Sequence, residues 1–364
     1  MIENIGEFIK AVEIDELSLA FCNDFVSSDR PKFIFGRNHF AKAIAAQVEI
    51  DGFIDEFTGD TEFCSKPIVK LADLPVGGMV ISSVVLAKPQ TVMKKLKSMD
   101  IESIDYYKFR KYSRLKLPQV LFGDEDIFEN EYNLHKADYD VIYSKLKDEQ
   151  SKDVMSSIFN FRISSDLSYL NEFKFDIEKQ YFEDILNLRL EGETFLDVGC
   201  FDGFTSLEFI ARCPKYKSLH EFEPEKSNME VIMSKMANFE NINYHNFGLS
   251  DEDKTLKFFA DGSASRISEE GTDSIHVRPL DDLNLNDATF IKMDIEGGEV
   301  EAIRGSRNTI LKYHPRLAIS VYNKVDDFRV IPQLILSIRP DYDLYLRHYT
   351  EGVIETVMFF IPQK

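Results

Sequence analysis

The chain has 364 residues, with 43 Lys and Arg set against 63 Asp and Glu for a formal net charge of −20. A field of that sign repels phosphate backbones and anionic membrane surfaces, so no nucleic-acid partner is expected, and the length suits two domains better than one. The four cysteines (Cys22, Cys64, Cys200 and Cys213) stand far apart without a CxxC pair; neither a disulfide framework nor a zinc site is expected, and a reducing cytoplasmic location fits.

At the N-terminus, Ile2, Ile5, Phe8, Ile9 and Val12 fall at helical spacing with acids interleaved, which predicts a helix and not a signal peptide. The longest nearly apolar run, MVISSVVLA at 79–87, is far shorter than the ~20 residues that span a bilayer, so no membrane insertion is expected. KFIFG (32–36) reads as a buried strand, RNHFAKAIAAQV as a helix and GFIDEF as a second strand. The alternation continues through MVISSVV (79–85), KPQTVMKKLKSM and SIDYYKF (103–109), making residues 1–123 a small Rossmann-like α/β domain. Residues 124–190 carry long, charged, helix-period segments such as ADYDVIYSKLKDEQSKDVMSSIF and are read as a helical connector.

From 191 to 364 strand and helix patterns alternate again, with strands TFLDVG, KSLHEFE, INYHNFGLS, ATFIKMDIE and RLAISVY. The chain then closes with YDLYLRHY and ETVMFFI, separated by TEGVI alone. A link that short cannot be a helical crossover, so the last pair is predicted to be an antiparallel hairpin. The fold class is therefore α/β, a doubly wound sheet of five parallel strands with an antiparallel terminal hairpin, preceded by a smaller α/β domain.

The segment TFLDVGCFDGFTSLEF (194–209) places Asp197, Gly199 and Gly203 at the carboxyl end of a strand and the start of a helix, where open α/β sheets bind ligands. The two glycines allow backbone to approach a ligand where a Cβ would intrude. Twenty residues beyond Gly203, Glu223 ends the next strand, where a carboxylate can accept hydrogen bonds from both hydroxyls of a ribose. The spacing is G-x-x-x-G after an acid, not the G-x-G-x-x-G that seats a pyrophosphate. S-adenosyl-L-methionine, with no phosphate and an ammonium for Asp197 to hold, suits this loop better. The plainer alternative is a tight strand-to-helix turn and a solvated strand end.

These residues resemble the FkbM family of S-adenosylmethionine-dependent methyltransferases. The resemblance runs from QYFEDIL near 180 to ETVMFF near 360 and includes FLDVGCFDGFTS, EFEPEKSNMEVI, NFGLSDED, DGSASRIS, VRPLDDL, IKMDIEGGEVEAIRG and LAISVYNK. It implies a class I methyltransferase fold for residues 191–364 and O-methylation of a sugar, glycan precursor or secondary metabolite. By position it implies Asp197, Gly199 and Gly203 at the methionine end, Glu223 on the ribose, Gly248 and Leu249 near the adenine, and Asp294 and Glu296 beneath the transferable methyl. Cys200 and Phe201 stand where relatives have Ala-Asn, and Asn323 where relatives often have His after VY; Asn323 cannot serve as a base.

Methyl transfer from a sulfonium is an in-line displacement accelerated by alignment of the acceptor, and a positioned base adds roughly 10² to 10⁴ in rate. Asp294, Glu296 and His348 are the candidate catalytic residues. Each has a structural alternative: a turn-stabilising acid, an acid favoured at a helix N-terminus, and a strand or core histidine. Asp294, Glu296 and Glu299 are oxygen ligands of the kind a hard cation prefers, but acids near a helix start are more often solvated, and no metal is expected. MDIEGG lacks the N/D-P-P-Y pattern of amino-nitrogen methylation of bases. The single glycine of FGRNHFAK (35–42) is a weak nucleotide signal, favouring a scaffold for substrate docking or homodimerisation. Two rivals stay open: a non-catalytic cofactor-binding or interaction protein, and an NAD-dependent oxidoreductase, which would need G-x-G-x-x-G.

Overall fold

The computed structural model describes residues 4–120, 125–259, 266–267 and 273–363. Ile2 of the N-terminal pattern lies outside them. Ile5 belongs to a single 3-10 turn, Ile5–Glu7, and the first α-helix, α1, is Glu16–Ser27. The apolar spacing at the start therefore does not make a helix. Its side chains dock instead, with the Ile5 amide donating to Asp140 (3.0 Å) and Phe8 set against Tyr143. Helix α1 starts where Asp15 accepts from the Ser18 amide, as an N-cap should.

The first sheet contains β1 (Lys32–Phe35), β2 (Gly52–Ile54), β3 (Glu62–Phe63), β4 (Lys66–Val69), β5 (Met79–Ser82) and β6 (Ser103–Asp105), interleaved with α2 (His39–Ala45) and α3 (Pro89–Ser98). Its order is β3-β4-β2-β1-β5-β6, parallel except for the β3–β4 hairpin. SIDYYKF is strand only as far as Asp105. There the Asp105 carboxylate accepts from the Lys108 amide and the chain turns into α4 (Tyr106–Tyr112).

The predicted connector holds α5 (Glu125–Leu134), α6 (Lys136–Lys145) and α7 (Glu149–Ser164). The long helical pattern breaks between α6 and α7, where Leu146 forms a bridge to Leu344 and Asp148 caps α7 through the Ser151 amide. Beyond Ser164 the chain up to residue 193 is irregular apart from 3-10 turns and a bridge from Glu191 to Lys215. Phe159 of α7 sits edge-on to Phe128, Tyr139 and Phe328 at 4.9, 5.2 and 5.4 Å. One apolar core thus runs from the first sheet through these helices into the second sheet.

The second sheet is built from β7 (Thr194–Val198), α8 (Phe204–Arg212), β8 (Ser218–Phe222), α9 (Lys226–Lys235) and β9 (Ile242–His245). After an excursion described next, it resumes with β14 (Phe290–Met293), α10 (Glu299–Arg304), α11 (Arg307–Tyr313), β15 (Arg316–Ser320), α12 (Asp327–Ile338), β16 (Tyr342–His348) and β17 (Thr356–Pro362). The order is β16-β17-β15-β14-β7-β8-β9, with β16 and β17 an antiparallel hairpin and the other five strands parallel. This is the class I methyltransferase arrangement that the resemblance implies.

INYHNFGLS is not one strand. After β9, β10 (Gly248–Leu249) leaves the sheet and joins β11 (Lys254–Phe259), β12 (Arg266–Ile267) and β13 (Asp273–Arg278) in a separate sheet, ordered β10-β13-β11-β12. Most of the serine loop DGSASRIS lies outside the described residues. Among the described residues no helix is long and apolar enough to cross a membrane.

Candidate functional site

The strand order of the second sheet reverses between β7 and β14, and a cleft of about 310 Å³ opens at the carboxyl ends of β7, β8 and β14. Its floor is the loop after β7. Gly199 has φ +80°, and a Cβ there would lie 1.9 Å from the Asp294 carbonyl oxygen. The close approach that requires this glycine is therefore to the neighbouring strand's backbone, not to a ligand. Gly203, at φ +79°, is the N-cap residue of α8.

Asp197 is fully buried beneath the loop and does not line the cleft. Strand register sets Lys292, Asp197 and Glu221 side by side on β14, β7 and β8. The Lys292 ammonium pairs with Asp197 at 3.1 Å and donates to the carbonyls of Gly199 (2.6 Å) and Val198 (3.3 Å), while Ser206 donates to the other Asp197 oxygen at 2.8 Å. The ammonium-holding role expected of Asp197 is thus corrected: its carboxylate is consumed in anchoring the loop. Burial, followed by the Asp197 charge, pushes the Glu221 carboxyl well up, so the group shares one lysine between two acids by keeping the second protonated. This triad escaped the sequence reading, although its members occupy equivalent positions in FLDVG, LHEFE and FIKMD.

Glu223 does line the cleft. One carboxylate oxygen accepts from the Phe201 amide (3.1 Å) and the other from the Glu225 amide (2.9 Å). Burial raises its pKa, and each oxygen keeps a lone pair for a further donor. Beside it Gly248 and Leu249 form one apolar wall, completed by Pro224, Ile275 and Val277. The last two come from β13, so the small sheet serves as a cover over this end of the cleft. Nothing in the sequence reading singled them out.

The opposite end is acidic. Asp294 accepts from the hydroxyls of Tyr181 (2.8 Å) and Tyr322 (3.0 Å) on one oxygen and from the Asn323 amide (3.2 Å) on the other. Asn323 also donates to Glu299 at 2.9 Å, so this position fixes two acids in place of moving a proton. Burial first, and then the Asp294 charge, holds both tyrosine hydroxyls well above their ordinary pKa, which keeps them donors. Glu296, at φ +55°, lines the cleft and is partly open to solvent. Lost hydration at its carboxyl, then Asp294, Glu299 and Glu355, raise its pKa. Glu299 is buried, accepts from the Ile295 amide, and is pushed up to about 7 by burial and by Asp294. Among the described residues no three His, Cys, Asp or Glu side chains are arranged to hold a metal ion.

His348 is not part of this cleft. It is buried, its Nδ1 accepts from the Thr356 hydroxyl (2.8 Å) and its Nε2–H donates to the Gly352 carbonyl (2.8 Å). Burial lowers its pKa to about 4. With both nitrogens occupied it cannot take a proton from an acceptor, and its candidacy as base is withdrawn. Two cleft residues to which the sequence reading gave no role are Gln180 and Glu355, the first residues of QYFEDIL and ETVMFF. The Gln180 amide donates to the Glu355 carboxylate, and Glu355 belongs to the β16–β17 turn.

Residues 197–342 match the sequence model of the methyltransferase FkbM domain. A methyltransferase FkbM from Methylobacillus flagellatus KT is 22% identical, with a TM-score of 0.74 over 95% of this chain and 94% of that one. A precorrin-6y C5,15-methyltransferase from Geobacter metallireducens GS-15 aligns with a TM-score of 0.32 at 15% identity, over 53% of this chain and 95% of that one. No curated protein sequence gives a significant match. The C-terminal α/β unit of this chain thus carries, over residues 197–342, the sequence pattern of the methyltransferase FkbM domain.

Proposed function

We propose that the cleft holds S-adenosyl-L-methionine and that the enzyme methylates a hydroxyl of a sugar, glycan precursor or secondary metabolite in the cytoplasm. The observation that carries this reading is the polarity of the cleft. Glu223 and an apolar cover lie at one end, and Asp294, Glu296 and Glu355 lie at the other. Lys292, the one Lys or Arg lining the cleft among the described residues, is already paired with Asp197. Such a wall repels a pyrophosphate and favours a cofactor that carries positive charge, which argues against the oxidoreductase alternative.

In this reading Glu223 accepts from the ribose hydroxyls, and Leu249, Ile275 and Val277 pack on the adenine. The bound donor supplies an electrophilic methyl on a positively charged sulfur. This chain's residues then orient and deprotonate the acceptor. Asp294, with three donors on its two oxygens, is suited to fixing Tyr181 and Tyr322. Glu296, for which no hydrogen bond competes among the described residues, is the better placed base. The absence of N/D-P-P-Y supports an oxygen acceptor.

Titration calorimetry tests the reading. S-adenosylmethionine and S-adenosylhomocysteine are expected to bind and NAD⁺ to show no heat; binding of NAD⁺ alone would overturn it. If both adenosyl compounds bind but an Asp294→Ala, Glu296→Gln protein behaves as wild type in every methylation assay, the non-catalytic alternative replaces it.

A further inference from the structure

In open α/β sheets the crevice beside the strand-order reversal is the usual ligand site. In the first sheet that reversal falls between β1 and β5. The loops leaving these strands are tied together, Asn38 donating to the Ser83 carbonyl (2.7 Å) and the Ser83 hydroxyl to the Phe35 carbonyl (2.8 Å). The segment after β5 is met by the β16–β17 turn of the methyltransferase unit. The Glu351 amide donates to the Ala87 carbonyl at 3.0 Å. A Cβ on Gly352 would lie 2.1 Å from the Leu86 carbonyl oxygen and 2.4 Å from that of Val85, so only glycine permits this approach. The Glu351 carboxylate accepts from the amide (2.6 Å) and hydroxyl (2.5 Å) of Thr91, in the first turn of the ten-residue helix α3. No side chain of the N-cap residue Lys88 caps that helix. Glu351 therefore fills the acceptor role that helix N-termini demand.

The same turn presents Glu355 to the cleft. His348 fixes the turn through Gly352, Thr350 donates to the Ile354 carbonyl (2.7 Å), and the Tyr349 amide donates to the Glu355 carbonyl (3.1 Å). Glu355 has φ +66°, a left-handed conformation that costs free energy for a residue with a Cβ and persists only when its surroundings impose it. Its carboxylate faces the charges of Asp294 and Lys292 and the hydroxyl of Tyr322, and Glu296 lies on the same wall. Placing one acid against two others is unfavourable until a cation enters between them.

We propose that the first sheet's crevice is a socket for the Glu351–Gly352 turn, and that this socket holds Glu355 in the cleft as the carboxylate that recognises the positive charge of the methyl donor. The proposal rests on the cleft being the S-adenosylmethionine site. It makes Glu355 a specificity-determining residue and Glu351 a positioning residue that acts through it.

The test compares S-adenosylmethionine with S-adenosylhomocysteine, which lacks the sulfonium charge, by calorimetry on the full chain. Glu355→Gln is expected to weaken S-adenosylmethionine binding about tenfold, roughly 1.4 kcal/mol, and to leave S-adenosylhomocysteine within about twofold. Glu351→Ala is expected to produce the same selective loss, with no further loss in the Glu351→Ala, Glu355→Gln double variant. Thr91→Ala, which removes one of the two donors, gives a smaller loss of the same selectivity should Glu351→Ala fold poorly. Equal weakening of both compounds, or losses that add in the double variant, would overturn the proposal alone. Wild-type protein that binds neither compound would overturn the cofactor reading and this proposal with it.

Discussion

The two α/β units of this chain place a glycine and an acid after their first two strands and differ in what occupies the space beside them. Each has a glycine after its first strand, Gly36 and Gly199, both at positive φ, and an acid just after its second, Asp55 and Glu223. In the first unit Asp55 is taken up by Arg37 at 2.7 Å and by the amides of Phe57 and Thr58, while the chain's own turn packs beside the crevice. In the second unit Glu223 accepts from the backbone amides of Phe201 and Glu225, forms no ion pair among the described residues, and faces a cleft of about 310 Å³. Parallel topology creates the crevice, but a ligand site survives only where the chain leaves the acid unpaired and the volume open.

Substitutions at matched positions sharpen that contrast, and the largest effect is expected at the glycines. Gly199→Ala drives a Cβ into the Asp294 backbone. It should cost at least about 3 kcal/mol of stability and abolish measurable cofactor binding. At Gly36 a Cβ meets the Ser83 hydroxyl at 2.6 Å, a side-chain atom that can rotate away. Gly36→Ala should therefore lower the melting temperature less and leave binding intact; equal loss of binding in both variants would erase the distinction.

Lys292→Met removes the counter-charge of the buried Asp197 carboxylate. It should destabilise the fold by about 3 kcal/mol, recovered in part by Lys292→Met combined with Asp197→Leu, as urea unfolding would show. At the acids, Glu223→Gln should weaken S-adenosylhomocysteine binding by roughly tenfold. Asp55→Asn should change that affinity by less than about twofold and cost on the order of 1 kcal/mol of stability.

A smaller effect concerns pH. Glu299 is raised to about 7 in the folded chain, above the ~4.3 of an unfolded glutamate. The folded state holds the proton more tightly, so this group's contribution is complete below about pH 4 and is lost as pH rises through 7. Glu299→Gln should therefore gain stability relative to wild type between pH 5 and 8, on the order of 1 to 2 kcal/mol, with the gain absent near pH 4. A difference that is flat with pH would show that Glu299 is ionised throughout.

Much of the second sheet was legible because parallel strands buried on both faces leave apolar runs, and because a five-residue link can only make a hairpin. Glu223 was legible as a strand-end acid, and the family resemblance pointed to Gly248, Leu249, Asp294 and Glu296; all five line the cleft. Asp197 was misread because a strand-end acid looks the same in sequence whether it points into the cleft or beneath the loop. Only cross-strand register with Lys292 and Glu221 decides which. His348 was misread because nothing local announces that Thr356 and Gly352 occupy its two nitrogens. Glu355, Ile275 and Val277 were missed because a hairpin turn and a detached small sheet carry no strand-end signature. The N-terminal pattern failed for a different reason: Ile5 and Phe8 meet α6, and tertiary contacts outweighed helical spacing.

A crystal structure of the protein grown with S-adenosylhomocysteine bears most directly on the cofactor assignment. The expected result is the ribose hydroxyls within hydrogen-bond reach of Glu223, the adenine between Leu249 and Ile275, and the thioether sulfur on the side of Asp294 and Glu355. An empty second cleft, or the nucleoside seated at Asp55 in the first unit, would contradict it.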